Sequence, residues 1–197
     1  MSKGEATRQR IIEAAAGLFN QHGYEGSSLS ELMEATGLEK GGIYRHFASK
    51  EELAAEAFDY AWSAATQARM HDLDKAENSV DQLKQFIANF VERRPAVPGG
   101  CPLFNTAVEV DDSDSALRNR ALKALHGWRD LLQTIIETGL RRREIRRGTD
   151  AKGLATLIIS SLEGALMMSR LERRRDPLLS IQKHLDDFLE TGVRLRG

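Results

Sequence analysis

The stretch Ala35-Thr-Gly-Leu-Glu-Lys-Gly-Gly-Ile-Tyr-Arg-His-Phe-Ala-Ser-Lys50 constrains the fold more than any other part of the chain. Gly37 closes one helix, a short polar segment carries Lys40, Tyr44, Arg45 and His46, and Ser49 opens the next helix. Few folds need two helix boundaries around so short a segment. A helix-turn-helix does, because its second helix must project from the body to enter a DNA groove. Ile43 and Phe47, four residues apart, are spaced to fasten that helix to a core.

The flanking residues extend the pattern. Ile11, Ile12, Ala15, Leu18 and Phe19 share one face of a helix predicted over about 8–21, and His22-Gly23 supplies its stop. Ser28-Leu-Ser-Glu31 and Ser49-Lys-Glu-Glu52 are capping boxes, in which hydroxyl and carboxylate satisfy the orphan amides of a helix start. Ser79 is read as the cap of a fifth helix reaching about Arg93. The segment Pro95–Gly100 is a loop, and Pro102 suits the first turn of a short helix to about Val110. A long helix is expected to begin between Asp111 and Asp114 and to end near the arginines of 141–147. Asp150 caps an apolar helix to about Leu171, and Asp176-Pro177 starts the last one. Val/Ile/Thr alternation is scarce. The expected class is all-α: a three-helix DNA-binding domain over 1–50 and a helical body over 51–197.

Charge limits how such a chain meets DNA. The net charge is −1, and residues 1–52 hold six Lys/Arg against eight Asp/Glu, a balance of −2. Binding must therefore rest on a few placed cations rather than on bulk attraction. The single cysteine, Cys101, rules out an intrachain disulfide framework and fits a reducing cytoplasm. The apolar run 154–168 is interrupted by Ser160, Ser161 and Glu163, and Met1-Ser-Lys-Gly-Glu leads straight into a helix pattern. Neither a membrane span nor an export leader is expected, so the chain is placed in the cytoplasm.

Thr7-Arg-Gln-Arg-Ile-Ile-Glu-Ala-Ala15, Phe19, Gly23-Tyr24, Ser28, Ala35-x-Gly37 and Tyr44-x-His46-Phe47-x-x-Lys50 together resemble the DNA-binding region of TetR-type transcriptional repressors. The resemblance implies a homodimeric repressor on a palindromic operator in double-stranded DNA, released by an effector. It also implies DNA contacts from positions matching Lys40, Gly41, Tyr44, His46 and Lys50. Arg45 suits guanine or phosphate, Lys50 a phosphate at a helix start, and Ser28 both a cap and a phosphate donor. Gly42 stands where such repressors usually carry Ser, Thr or Ala, which weakens helix propensity and removes a base contact.

For the body, the resemblance implies a cavity for a small, largely apolar ligand; periodicity alone does not show one. Trp62, Phe86, Phe90, Phe104, Trp128 and Met167 are candidates to line it, and the same side chains serve equally as core. Asn105, Glu109 and His126 are the polar groups expected to orient a ligand. With Pro102 at the first helical position, Cys101 falls at an N-cap, where the helix dipole favours thiolate. Some TetR-type repressors sense electrophiles or oxidants through a cysteine near this loop, so modification of Cys101 is a second release signal. Gly153, Leu157, Ser160, Ser161, Gly164 and Met168 form a stripe suited to close helix approach, and this helix and the last are the expected dimer face. The arginine clusters at 141–143, 146–147 and 173–175 read as solvated helix ends.

No zinc-binding His-Glu-x-x-His, paired cysteines, phosphate-binding glycine loop or nucleophile elbow occurs, so no catalytic residue, metal or cofactor is assigned. The alternatives to a regulator are a helical enzyme or a helical adaptor that binds protein through its C-terminal faces.

Overall fold

The computed structural model describes residues 2–93, 97–113 and 115–195. Pro95, Ala96 and Asp114, which the sequence assigns to a loop and a helix start, lie outside the described residues. Nine α-helices occupy the described chain, with a 3-10 turn at Leu73–Lys75, a π turn at Leu189–Val193 and one isolated bridge between Ile145 and Arg194. The fold is all-α.

Helix α1 (Lys3–His22) begins five residues earlier than the apolar face implies. Ser2 and Glu5 form a third capping box, and that polar signal, rather than periodicity, sets the true start. Gly23 closes α1 at φ 83°. Helix α2 (Leu29–Thr36) starts on the Ser28–Glu31 box and ends on left-handed Gly37, as read from sequence. Helix α3 (Lys40–Tyr44) follows after three residues, and α4 (Lys50–Met70) opens with the Ser49 hydroxyl accepting from the Glu52 amide, while the Glu52 carboxylate takes the Ala48 amide.

Helix α5 (Ser79–Glu92) corrects one assignment. Its cap is Asn78, whose side chain accepts from the Asp81 amide; Ser79 is a buried helical residue. Helix α6 (Pro102–Val110) has Cys101 at its N-cap and Pro102 in its first turn. Helix α7 (Ala116–Arg142) starts later than expected, because Ser115, not an aspartate, takes the Arg118 amide. Asp150 caps α8 (Ala151–Glu172), and α9 (Asp176–Phe188) runs into the π turn. Among the described residues α8 is long and apolar enough to cross a membrane by length and composition only, although Ser160, Ser161 and Glu163 interrupt its apolar run. Its Leu154, Ala155, Ile158, Ile159 and Leu162 are core residues here.

The chain divides into two compact units. One holds residues 1–65 and 95–124, the other 66–94 and 125–197. The first is built on Ile11, Ala15, Leu32, Ile43, Phe47, Leu53, Ala57, Ala61 and Val97. In it Arg8 pairs with Glu56 and covers the Phe47 ring at 4.7 Å. The second is built on Leu83, Phe86, Ile87, Leu132, Ile136, Ile158 and Leu162. Its C-terminal segment is tied down by the Leu195 amide on the Glu144 carbonyl (2.8 Å) and by Arg194 paired with Asp81.

Candidate nucleic-acid interface and its supports

Helix α3 is only five residues long, and its N-cap Glu39 makes no side-chain capping bond. Its hold on the unit comes instead from Ile43, 1% exposed, and Phe47, 2% exposed, just beyond its end. With those two positions inward, Lys40, Gly41 and Arg45 are exposed, and Gly42, Tyr44 and His46 are half-buried. The Lys40 ammonium lies 6.0 Å from the Tyr44 ring. Neither glycine is required by geometry. A Cβ at Gly41 would meet nothing within 4 Å, and one at Gly42 would reach Leu38 only at an ordinary 3.5 Å.

Lys50 and Ser28 have structural duties at this surface. Lys50 Nζ donates to the carbonyls of Tyr24 (2.7 Å) and Ser27 (2.6 Å) and lies 4.5 Å from the Tyr24 ring. It thus locks the turn between α1 and α2. The Ser28 hydroxyl donates to the Glu31 carboxylate at 2.8 Å and accepts from the Glu31 amide at 3.2 Å. The Ser28 backbone amide and hydroxyl, both donating to Glu31, hold its carboxyl below the ordinary 4.5, helped by His22. The Tyr24 hydroxyl donates to Glu51 at 2.8 Å, and burial first, then that bond, raises its pKa above the ordinary tyrosine value.

The expected effector-binding residues separate between the two units. Trp62, Cys101, Phe104, Asn105 and Glu109 belong to the first; Phe86, Phe90, Trp128 and Met167 belong to the second. In the first unit, α6 is clasped to the end of α1. Asn105 Nδ2 lies 2.9 Å from the Asn20 carbonyl, the Asn20 side-chain oxygen and the Gly99 carbonyl. Asn20 Nδ2 in turn donates to the Pro98 carbonyl at 2.7 Å. Glu109 accepts from the Tyr24 amide at 2.9 Å, and its carboxylate fills the space beside Gly23 that a Cβ would occupy. A small cavity of about 20 Å³ lies among α1, α4 and α6, lined by Phe19, Tyr24, Phe58, Thr106 and Glu109 among others. Cys101, at the N-cap of α6, is 3% exposed, and Phe104 is half-buried.

In the second unit Phe86 and Trp128 are buried and Phe90 half-buried, with the Phe90 and Trp128 ring centroids 6.0 Å apart. Met167 is 48% exposed and His126 is exposed. Sequence reading missed Arg69 and Glu163, buried charged residues of this cluster, because a lone charge in a helical pattern reads as a solvated face. Of the arginine clusters, Arg146 donates to the Thr191 carbonyl at 2.7 Å and Arg175 to that of Val91 at 3.1 Å. Both residues are exposed, as the sequence reading has it, and each also holds a backbone carbonyl.

Residues 11–57 match the model for bacterial regulatory proteins of the tetR family, and residues 79–185 match that for the tetracyclin repressor-like C-terminal domain. A TetR transcriptional regulator from Chloroflexus aurantiacus J-10-FL is 45% identical with a TM-score of 0.94, covering 100% of both chains. A regulator of the same description from Cytophaga hutchinsonii is 35% identical with a TM-score of 0.91, covering 100% of this chain and 99% of its own. The HTH-type transcriptional repressor DhaR of Mycobacterium sp. (strain GP1) is 28% identical over 172 residues, 87% of this chain and 86% of the relative.

Proposed function

The chain belongs to the TetR family of DNA-binding transcriptional regulators, and from that premise we propose that it is a cytoplasmic homodimeric repressor released from a palindromic operator by a small-molecule effector or by modification of Cys101. The family is one of regulators, not enzymes. DNA binding is ascribed to residues 1–50, and effector binding and dimerisation to 51–197. The observation that carries this reading is the α3 segment: Ile43 and Phe47 are buried in the core, while Lys40 and Tyr44 on the helix and Arg45 and His46 just past its end stay outside it. In a dimer, two such helices about 34 Å apart would enter successive major grooves.

The α1–α6 clasp supports a release route. Asn105 and Glu109 link α6 to Asn20 and Tyr24, and Lys50 links Tyr24 to the start of α4. A shift of α6 would therefore reach the turn that presents α2 and α3. Cys101 is 3% exposed, so an electrophile reaches the thiol only when the structure around it opens.

Fluorescence anisotropy with the DNA upstream of the chain's own gene, against scrambled DNA of the same composition, tests the reading across a salt series. Preference for the upstream DNA, with affinity falling as salt rises, is expected. Equal affinity for both DNAs at every salt would overturn it. Electrophile-driven release that is unchanged in Cys101→Ser would remove the cysteine route alone.

A further inference from the structure

The second unit holds a buried charged cluster that DNA chemistry does not use. Arg69, in the last turn of α4, is 7% exposed, and its guanidinium carbon lies 4.3 Å from the Trp128 ring centroid and 4.7 Å from that of Phe90. Those rings are inclined by only 17°, so they offer the cation a shared π surface. Glu163, on α8 and 8% exposed, places its carboxylate 3.8 Å from Arg69 Nη2. Two ring faces and one carboxylate, all electronegative, therefore converge on one planar cation. The backbone at this point is held separately: Asn89 Nδ2 donates to the carbonyls of Arg69 (3.0 Å) and His71 (2.7 Å). The last turn of the helix thus has a tie that does not depend on the Arg69 side chain.

We propose that this cluster is a site for a small organic cation, with the Arg69 guanidinium as its resident occupant. An effector bearing an amidinium, guanidinium or quaternary ammonium group displaces Arg69 from the rings of Phe90 and Trp128 and takes Glu163 as its counter-ion. An organic anion is disfavoured, since pairing with Arg69 would set it beside the Glu163 carboxylate. The ring faces would repel it as well. The site rests on the effector-response reading and names the chemical class of the effector. It also supplies a lever, because the displaced side chain belongs to α4, whose first turn carries Lys50.

Calorimetric titration of the full chain, without DNA, with benzamidinium chloride and with sodium benzoate tests the proposal. Saturable binding of benzamidinium and none of benzoate is expected for the unmodified chain. Removing the competing cation in Arg69→Met is expected to tighten benzamidinium at least about tenfold, and Glu163→Gln to abolish it. Benzamidinium binding that appears only in Arg69→Met identifies a merely structural arginine and overturns the proposal. So does affinity unaltered by Arg69→Met, or Arg69-dependent binding of benzoate. Should Arg69→Met not fold, the unmodified chain decides alone: no saturable benzamidinium binding sinks the idea. Because no DNA is present, that failure leaves the operator reading standing, and loss of operator preference leaves this site standing.

Discussion

At the scale of single residues, the surface of α3 divides into groups that are available to DNA and groups that hold the domain together. Lys40 and Arg45 are exposed, whereas Lys50 is engaged by two carbonyls and the Tyr24 ring. Lys40→Ala and Arg45→Ala should weaken operator binding without moving the melting temperature. Lys50→Met should lower stability by about 1.5–3 kcal/mol, the range for hydrogen bonds to charged groups. Thermal melts beside anisotropy separate the two outcomes; an unshifted melt in Lys50→Met would refute the structural role. Gly42 offers the opposite experiment. Its backbone is helical and a methyl there meets only Leu38 at 3.5 Å. Gly42→Ala should therefore stabilise the chain by about 0.5–1 kcal/mol. The short helix and its anchors Ile43 and Phe47 were legible in the sequence, because residue type and spacing mark a helix-turn-helix. The division of labour was not, since the carbonyls that hold Lys50 lie more than twenty residues away in sequence.

The elements tell the same story through their ends. Ser28 and Gly37 were readable because a cap is a local matter of a hydroxyl, a carboxylate or a missing Cβ within four residues. Where two polar residues compete to cap, as Asn78 and Ser79 do, only packing decides, and Ser79 is drawn into the core beside Gly139. The clasp of α6 on α1 was invisible for a different reason: Asn20 and Asn105 are 85 residues apart, and nothing local marks them as partners. The caps also give the first unit a pH dependence. Glu31 is held below 4.5 by the Ser28 donors, and Glu51 by the Ser49 hydroxyl first, then its own amide and Tyr24. A carboxyl whose folded pKa is depressed adds stability that is present above its unfolded value and lost as pH falls through the folded one. Melting temperature should thus fall below about pH 4.5, and Glu31→Gln should flatten that fall. An identical acid limb in the variant would assign the effect to other carboxyls.

For the molecule as a whole, the decisive question is how a chain of net charge −1 binds a polyanion. One recognition helix with two exposed cations offers few phosphate contacts, and a second copy doubles them without changing the sequence. The second unit carries an exposed apolar stripe that a second copy would fit. Leu157, Met168 and Leu171 follow helical spacing along α8 and are 44%, 46% and 84% exposed, and Leu179 and Phe188 of α9 are 48% and 44% exposed. An apolar stripe of this kind on a folded unit marks an interaction surface, and a two-fold dimer would bury it against itself. Leu171→Glu tests this at little expense to the fold, because the side chain is nearly all in solvent. Sedimentation should show the unmodified chain as a dimer and the variant as a monomer with an unchanged helical spectrum. The monomer should still bind a single half-site, but lose the gain in affinity that the full palindrome gives the dimer. A variant that stays dimeric and keeps that gain would move the interface off α8 and leave α9, or another face, to carry it.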